Sequence, residues 1–145
     1  MTRPQYDLVI VGGGLVGASL ACALRDQPLR VALIDAASIE HLEGPSFDAR
    51  SIALGFGSRR VYSALGLWPA LENDVCAIRC IHVSNRGCFG LTRIYAQDYG
   101  LDALGYVAES RVLGRVLLSA LQNAPNIDIM NRARLTGLHR GSDHV

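Results

Sequence analysis

The hydrophobic pattern begins with two short apolar runs on either side of a stretch of small residues and helix formers. Residues 6–11 (YDLVIV) and 30–35 (RVALID) have apolar, partly β-branched centres, as is typical of strands buried on both faces of a parallel sheet. Between them, residues 15–26 are good helix formers or small residues, and Pro28 prevents the helix from continuing. The pattern predicts a strand-helix-strand unit of about 30 residues.

The pattern changes later in the chain. Residues 78–97 alternate between polar and apolar on both sides of Arg86 and Gly87, which predicts an antiparallel hairpin with one exposed face. The remaining pattern predicts a loop over 38–48, two short helices within 58–71, an amphipathic helix over 110–124 and a short buried strand over 127–130.

A glycine motif joins the first strand to the first helix. Residues 12–17 (GGGLVG) satisfy G-x-G-x-x-G, and the flanking strand and helix are the context that this motif requires for dinucleotide binding. Gly12 permits the tight turn, Gly14 lets backbone N–H groups approach a pyrophosphate, and Gly17 allows close packing of the helix on the strand. The diphosphate is expected at the positive end of the helix dipole.

Asp35 ends the second strand, 23 residues after Gly12. Its carboxylate can accept hydrogen bonds from the ribose hydroxyls of an adenosine, and its charge repels a 2′-phosphate. The motif and the acid therefore predict a site for FAD or NAD rather than NADP, and these residues leave the choice between FAD and NAD open.

Composition and charge restrict the class of protein. The chain has 145 residues, of which 50% are apolar, with 14 basic and 13 acidic side chains; this indicates a globular domain and excludes a disordered tail, a coiled coil or a basic nucleic-acid-binding surface. The apolar stretch 8–24 could be mistaken for a signal peptide or a membrane span, but its four glycines argue against a continuous helix. We therefore predict no transmembrane segment.

The four cysteines Cys22, Cys76, Cys80 and Cys88 have no CxxC pair. Their spacing, with His82 included, fits no common zinc pattern. We therefore predict free, partly buried thiols and no metal site.

Several segments together resemble the flavin-dependent aromatic hydroxylases, and most of all their ubiquinone-biosynthesis branch. The similar segments are residues 9–21 (VIVGGGLVGASLA), Asp35, 47–54 (FDARSIAL), 62–68 (YSALGLW), 82–87 (HVSNRG), Asp98-Tyr99 and Leu104-Gly105. The resemblance implies an α/β, Rossmann-like FAD-binding fold of the glutathione-reductase type. It makes residues 1–145 a truncated FAD-binding domain, in which the 78–97 hairpin is an insertion belonging to the substrate-binding sheet.

The resemblance also implies which residues bind FAD. It assigns the ADP part to Gly12, Gly14, Gly17 and Asp35, and assigns a contact with the cofactor to Arg50. A guanidinium offers a diphosphate forked donors and a permanent charge. The alternative for Arg50 is a surface pair with Asp48.

Two further positions are implied less directly. Relatives have an Arg or Gln that contacts FAD at the start of a helix, with leucines three and seven residues later. Arg111 is the candidate, but Ser110 has Leu113 and Leu117 at these offsets, whereas Arg111 has Gly114 and Leu118; the alternative is that Arg111 is a solvated residue on the helix. A backbone contact to adenine from the strand that follows is expected near Leu135.

The resemblance implies the N-terminal part of an FAD-dependent monooxygenase that hydroxylates a polyprenylated phenol in ubiquinone biosynthesis, with NAD(P)H as reductant. The chain lacks the family's later Gly-Asp motif and most of the substrate sheet, so we expect no turnover from these residues alone and surface exposed for missing strands. No catalytic residue is predicted, His82 included. Other ubiquinone-biosynthesis proteins are candidate partners, and the expected location is cytoplasmic, with peripheral contact at the inner membrane face left open. The alternatives are a fragment of an NAD-dependent dehydrogenase and a non-catalytic dinucleotide-binding module.

Overall fold

The computed structural model describes residues 5–37, 50–87 and 89–141. The chain divides into two compact units, one of residues 1–47 and 114–145 and the other of residues 48–113. The described residues form eight strands and three α-helices, in chain order β1 (Leu8–Val11), α1 (Leu15–Leu24), β2 (Val31–Ile34), β3 (Ser51–Gly55), α2 (Phe56–Ala64), β4 (Val75–Ile78), β5 (Cys80–Ser84), β6 (Leu91–Tyr95), β7 (Gly105–Glu109), α3 (Ser110–Gln122) and β8 (Ile127–Met130). Single 3-10 turns lie at Trp68–Ala70 and Ala96–Tyr99.

The first unit is built on a parallel sheet with the strand order β1-β2-β8. Val31 of β2 lies opposite Leu8 of β1 and Ile127 of β8. Helix α1 connects β1 to β2, and its Cys22 thiol donates to the carbonyl of Leu117 in α3 over 3.6 Å. The predicted strand-helix-strand unit and the predicted strand over 127–130 are confirmed, and so is the interpretation of residues 8–24 as a strand, a turn and a helix.

The burial of the sheet differs from the prediction at β1. The central strand β2 is buried along Val31, Ala32 and Leu33, as predicted, but in β1 only Ile10 is buried. The exposed fractions of Leu8, Val9 and Val11 in β1 are 37%, 48% and 58%. The prediction of burial on both faces is wrong for β1, because the described residues leave the face of Val9 and Val11 largely uncovered and β1 lacks the second flanking strand whose side chains help to cover β2.

The second unit contains an antiparallel sheet with the order β3-β7-β4. Its core includes Trp68, whose ring meets Tyr106 edge-on at 4.7 Å between centroids. The predicted pair of short helices within 58–71 appears as α2 followed by the 3-10 turn at Trp68–Ala70. The hydrophobic pattern predicted none of the three strands of this sheet as a separate element.

The predicted 78–97 hairpin is present in shortened form as β5 and β6, with His82 opposite Arg93. Ile78 belongs instead to β4 and pairs with Gly105. The strand pairing then breaks at Arg79, whose carbonyl accepts the Ala96 N–H over 2.9 Å. All five residues of β5 are exposed, so exposure is not confined to one face, and assignment of the hairpin to a substrate sheet stays a prediction.

The remaining expectations concern cysteines, the loop and membrane insertion. Of the described cysteines, Cys22 is a buried free thiol and Cys76 and Cys80 are exposed free thiols. The predicted loop over 38–48 and Cys88 lie outside the described residues. Across the described ranges, no helix has the length and apolar character needed to cross a membrane.

Candidate functional site

The glycine loop connects β1 to α1, and in it the backbone atoms of Gly12 and Gly17 lie very close together. The Gly12 N–H donates to the Ile34 carbonyl over 2.8 Å, and Gly12 has φ of +104°, a conformation that L side chains rarely adopt. A Cβ atom placed on Gly17 would lie 1.9 Å from the Gly12 carbonyl oxygen. The roles predicted for Gly12 in the turn and Gly17 in close packing therefore have a direct geometric basis.

The N-terminus of α1 presents backbone N–H groups beside this loop. Gly14 precedes the helix without a side-chain cap, and the Ala18 N–H makes a 2.9 Å bond to the Gly14 carbonyl. The amides of Leu15, Val16 and Gly17 come before that bond and have no carbonyl one turn earlier within the helix. A Cβ on Gly14 would meet no atom within 4 Å, so the approach to these amides is open.

These features suit an anionic ligand. Unpaired N–H groups at a helix N-terminus carry partial positive charge and bind phosphate groups. An open groove of about 560 Å³ lies along the loop and offers an apolar wall to the rest of a ligand. Its lining residues are Ile10, Val11, Gly12, Gly14, Leu15, Val16, Gly17 and Leu20.

Asp35 directly follows β2 and reaches the loop. Its Oδ2 accepts a hydrogen bond from the Gly13 N–H, and its Oδ1 accepts one from the Ala37 N–H over 2.7 Å. The structure thus brings Asp35 together with the predicted glycine residues at the carboxyl end of the parallel sheet, where open α/β sheets bind their ligands.

The segment after β8 lies beside Asp35, which the sequence reasoning missed. The Ala133 N–H donates to the Asp35 carbonyl over 2.9 Å, and the Arg132 N–H donates to the Ala37 carbonyl over 3.2 Å. Arg132 has φ of +55°. The signal was available, because parallel strands place their carboxyl ends at one edge of the sheet and β8 had been predicted as a strand.

Leu135 follows this segment and is 45% exposed. The structure places it in an irregular segment, since residues 133–141 contain no strand. The expectation of a further strand after 127–130 is therefore wrong. The expected backbone contact of Leu135 with adenine stays a prediction. Leu135 lies two residues after Ala133, whose N–H donates to the Asp35 carbonyl.

Arg50 and Arg111 lie close to each other in the second unit. The Arg50 carbonyl accepts hydrogen bonds from the N–H and the hydroxyl of Ser110, at 3.1 and 2.9 Å. Arg111 is the next residue of α3, and its exposed guanidinium donates to the Glu109 carboxylate. The FAD contacts predicted for both arginines stay predictions, and the alternative partner Asp48 lies outside the described residues.

Cys22 of α1 is a buried free thiol. Burial raises the pKa of the Cys22 thiol to about 11, which makes this thiol a poor nucleophile near neutral pH. In the part of the chain that the structure describes, no cluster of His, Cys, Asp and Glu could hold a metal ion. The geometry of the glycine loop and Asp35 suits a diphosphate and a ribose.

Comparison with known proteins gives a consistent set of matches. A family profile described as an NAD(P)-binding Rossmann-like domain matches residues 10–70. The ubiquinone hydroxylase UbiL of Rhodospirillum rubrum is 36% identical over 96% of this chain and 32% of its own length. The 3-demethoxyubiquinol 3-hydroxylase of Escherichia coli is 30% identical over 99% of this chain and 37% of its own length.

The solved structures agree on the fold. PqsL, a probable FAD-dependent monooxygenase of Pseudomonas aeruginosa, matches with a TM-score of 0.72 and 23% identity, over 96% of this chain and 36% of its own. The Rossmann-like α/β fold is therefore confirmed. The chain spans about a third of the length of the curated relatives that it matches.

Proposed function

We propose a function from the premise that this chain is homologous to the flavin-dependent ubiquinone hydroxylases. The chain forms the N-terminal, ADP-binding part of an FAD site, in a monooxygenase that hydroxylates a polyprenylated phenol in ubiquinone biosynthesis. NAD(P)H serves as the reductant, and the protein works in the cytoplasm or at the inner face of the membrane. Other ubiquinone-biosynthesis proteins are candidate partners.

The observation that supports the proposal best is the geometry of the first unit. Open amides at the start of α1, the uncrowded Gly14 and the carboxylate of Asp35 all lie at one edge of the parallel sheet. The amides suit a diphosphate and the carboxylate suits ribose hydroxyls. A side chain at Gly14 would fill the approach, and the negative charge of Asp35 disfavours a 2′-phosphate.

Bound flavin would supply the redox chemistry with oxygen, and this chain's residues would bind and orient it. In this proposal Gly12, Gly14, Gly17 and Asp35 hold the ADP part, and Leu135 supplies a backbone contact to adenine. Arg50 and Arg111 supply charge to the cofactor.

A second candidate is a site for NAD in a dehydrogenase or in a non-catalytic module. The family match favours it, because its description names NAD(P) and covers residues 10–70. The same amides and the same acid suit the ADP half of NAD as well as that of FAD.

Thermal unfolding of the 145-residue chain with FAD, ADP, NAD⁺ and NADP⁺ tests the proposal. FAD and ADP are expected to raise the Tm, since a ligand at 100 times its Kd adds about 2.7 kcal/mol to stability. NADP⁺ is expected to have little effect. Stabilisation by NAD⁺ but not by FAD would favour the second candidate, and no effect of any dinucleotide would reject both.

Gly14→Val provides the matched control. Its Cβ meets no protein atom within 4 Å and Gly14 has φ of −65°, so the fold should tolerate valine while the added side chain blocks the diphosphate. Stabilisation by FAD that survives Gly14→Val would place the cofactor somewhere other than the glycine loop.

A further inference from the structure

The middle glycine of the loop has a contact that the G-x-G-x-x-G pattern does not require. Gly13 occupies the unspecified position between Gly12 and Gly14, yet its N–H donates to Asp35 Oδ2. A Cβ on Gly13 would lie 3.0 Å from Oδ2 and 3.1 Å from the Asp35 Cβ. Glycine at this position therefore permits close contact between the loop and the acid.

Both oxygens of Asp35 are already engaged by backbone amides. Oδ2 accepts from Gly13 and Oδ1 accepts from Ala37. A carboxylate can accept at both oxygens at once and retains lone pairs for a ligand, whereas an asparagine has one acceptor oxygen and would oppose an N–H group with its own NH₂ group. Two donors arranged in this way fit a carboxylate better than a carboxamide.

We propose that Asp35 is a positioning residue for the glycine loop, which it holds in the phosphate-binding conformation through the Gly13 amide, in addition to any contact with ribose. The inference rests on the proposed dinucleotide function. Because the Gly13 N–H is directed at Asp35, the amides from Gly14 onward remain for the diphosphate. A loop fixed before the ligand arrives loses less conformational entropy on binding, which raises affinity.

Binding of ADP and of 2′,3′-dideoxy-ADP, measured by calorimetry, separates the two roles. The dideoxy compound has no ribose hydroxyls, so a residue that acts through ribose alone cannot affect its binding. We expect Asp35→Asn to weaken the binding of both ligands by about tenfold, which is the range of one charge-assisted hydrogen bond. Weaker binding of ADP with unchanged binding of dideoxy-ADP would overturn the proposal.

Gly13→Ala is the second variant, and it leaves Asp35 itself in place. Its methyl group would require the Asp35 side chain to shift by a few tenths of an ångström, which weakens the bond to the Gly13 amide without removing the carboxylate. Dideoxy-ADP is therefore expected to bind more weakly than to the wild type but more tightly than to Asp35→Asn, and a larger loss of affinity than in Asp35→Asn would overturn the proposal.

Amide hydrogen exchange followed by NMR keeps the test independent of any ligand. In the free chain, the Gly13 amide is expected to exchange at least about tenfold faster in Asp35→Asn than in the wild type. The Val31 amide, which donates to the Asn126 carbonyl over 2.9 Å, should be unchanged and so reports an intact sheet. Equal exchange at Gly13 in both proteins would overturn the positioning role.

Failure of the proposed dinucleotide function and failure of the positioning role give different results. If the wild type binds neither ADP nor dideoxy-ADP, the proposed dinucleotide function is rejected, and exchange at Gly13 still decides whether Asp35 fixes the loop. If the wild type binds both ligands and only the positioning role fails, ADP still binds and the Gly13 amide exchanges at the same rate in the wild type and in Asp35→Asn.

Discussion

At the scale of single residues, the contact between Gly17 and Gly12 leaves no room for a side chain. A Cβ on Gly17 would lie 1.9 Å from a backbone oxygen, which cannot move away as a flexible side chain could. We expect Gly17→Ala to lower the free energy of unfolding by more than about 2 kcal/mol, measured in urea. Gly57→Ala in α2 is the control, because its Cβ meets nothing within 4 Å; equal losses in both variants would contradict the prediction.

The raised pKa of the Cys22 thiol predicts that the stability of the fold depends on pH in the alkaline range. Burial raises its pKa from 9.0 to about 11, and the charge of Arg25 opposes that shift. Between these pH values the unfolded state binds fewer protons than the folded state, so stability falls as the pH rises. We expect the stabilisation that comes from this thiol to be fully present below pH 9.0, and the free energy of unfolding to have fallen by about 2 kcal/mol at pH 11.

Cys22→Ala provides the reference for this measurement in urea. Tyr6 also has a raised pKa, because of its hydrogen bond to Asp128, and the difference between wild type and variant isolates the thiol from that group. The variant should be less stable at neutral pH, since it loses a buried sulfur atom, but its stability should fall less above pH 9.0. An equal alkaline fall in both proteins would rule out the thiol as its cause.

At the scale of elements, Asn126 connects the turn after α1 to the start of β8. Its Nδ2 lies 2.9, 3.2 and 2.9 Å from the carbonyl oxygens of Leu24, Gln27 and Leu29, and the two hydrogens of the NH₂ group are shared among these three acceptors. We expect Asn126→Ala to lower the free energy of unfolding by about 2 kcal/mol, because these carbonyls lose their donor. Asn126→Asp should cost more, since a carboxylate would face carbonyl oxygens with no hydrogen to donate.

Asn123→Ala is the matched control for this prediction. The Asn123 Nδ2 makes one exposed bond to the Ser119 carbonyl over 3.0 Å, so its loss should cost under about 0.5 kcal/mol in the same urea titration. Similar costs for Asn126→Ala and Asn123→Ala would show that the three-carbonyl contact does not stabilise the connection.

How far the sequence predicts each element depends on whether its signal is local. β1, α1 and β2 follow one another within a short stretch, and each has a local signal, which is an apolar run for the strands and helix-forming residues before Pro28 for the helix, so they were predicted correctly. β7 was not, because its five residues acquire their role from pairing with β3 and β4, which lie far away in the sequence. The hydrogen bond from Gly13 to Asp35 was missed for a related reason, since the motif leaves position 13 unspecified and only the folded chain brings the pair together.

At the scale of the whole molecule, the exposed side of β1 bears on how the chain behaves in solution. Val9 and Val11 alternate with the buried Ile10 along the strand, and they are 48% and 58% exposed. Within the described residues, one edge of β1 has no partner strand. Exposed apolar edge strands pair with other chains, and natural proteins prevent this with charged side chains, lysine especially.

We therefore expect the 145-residue chain to self-associate as its concentration rises, and Val9→Lys to shift association to higher concentration, measured by sedimentation. The stability cost should be at most about 1 kcal/mol at a half-exposed strand position. Ser119→Lys adds the same charge at an exposed position on α3 and should leave association unchanged, because it does not touch the open edge. Association that responds equally to both lysine variants would reflect net charge alone. A wild-type chain that stays monomeric would show that the β1 edge does not mediate self-association.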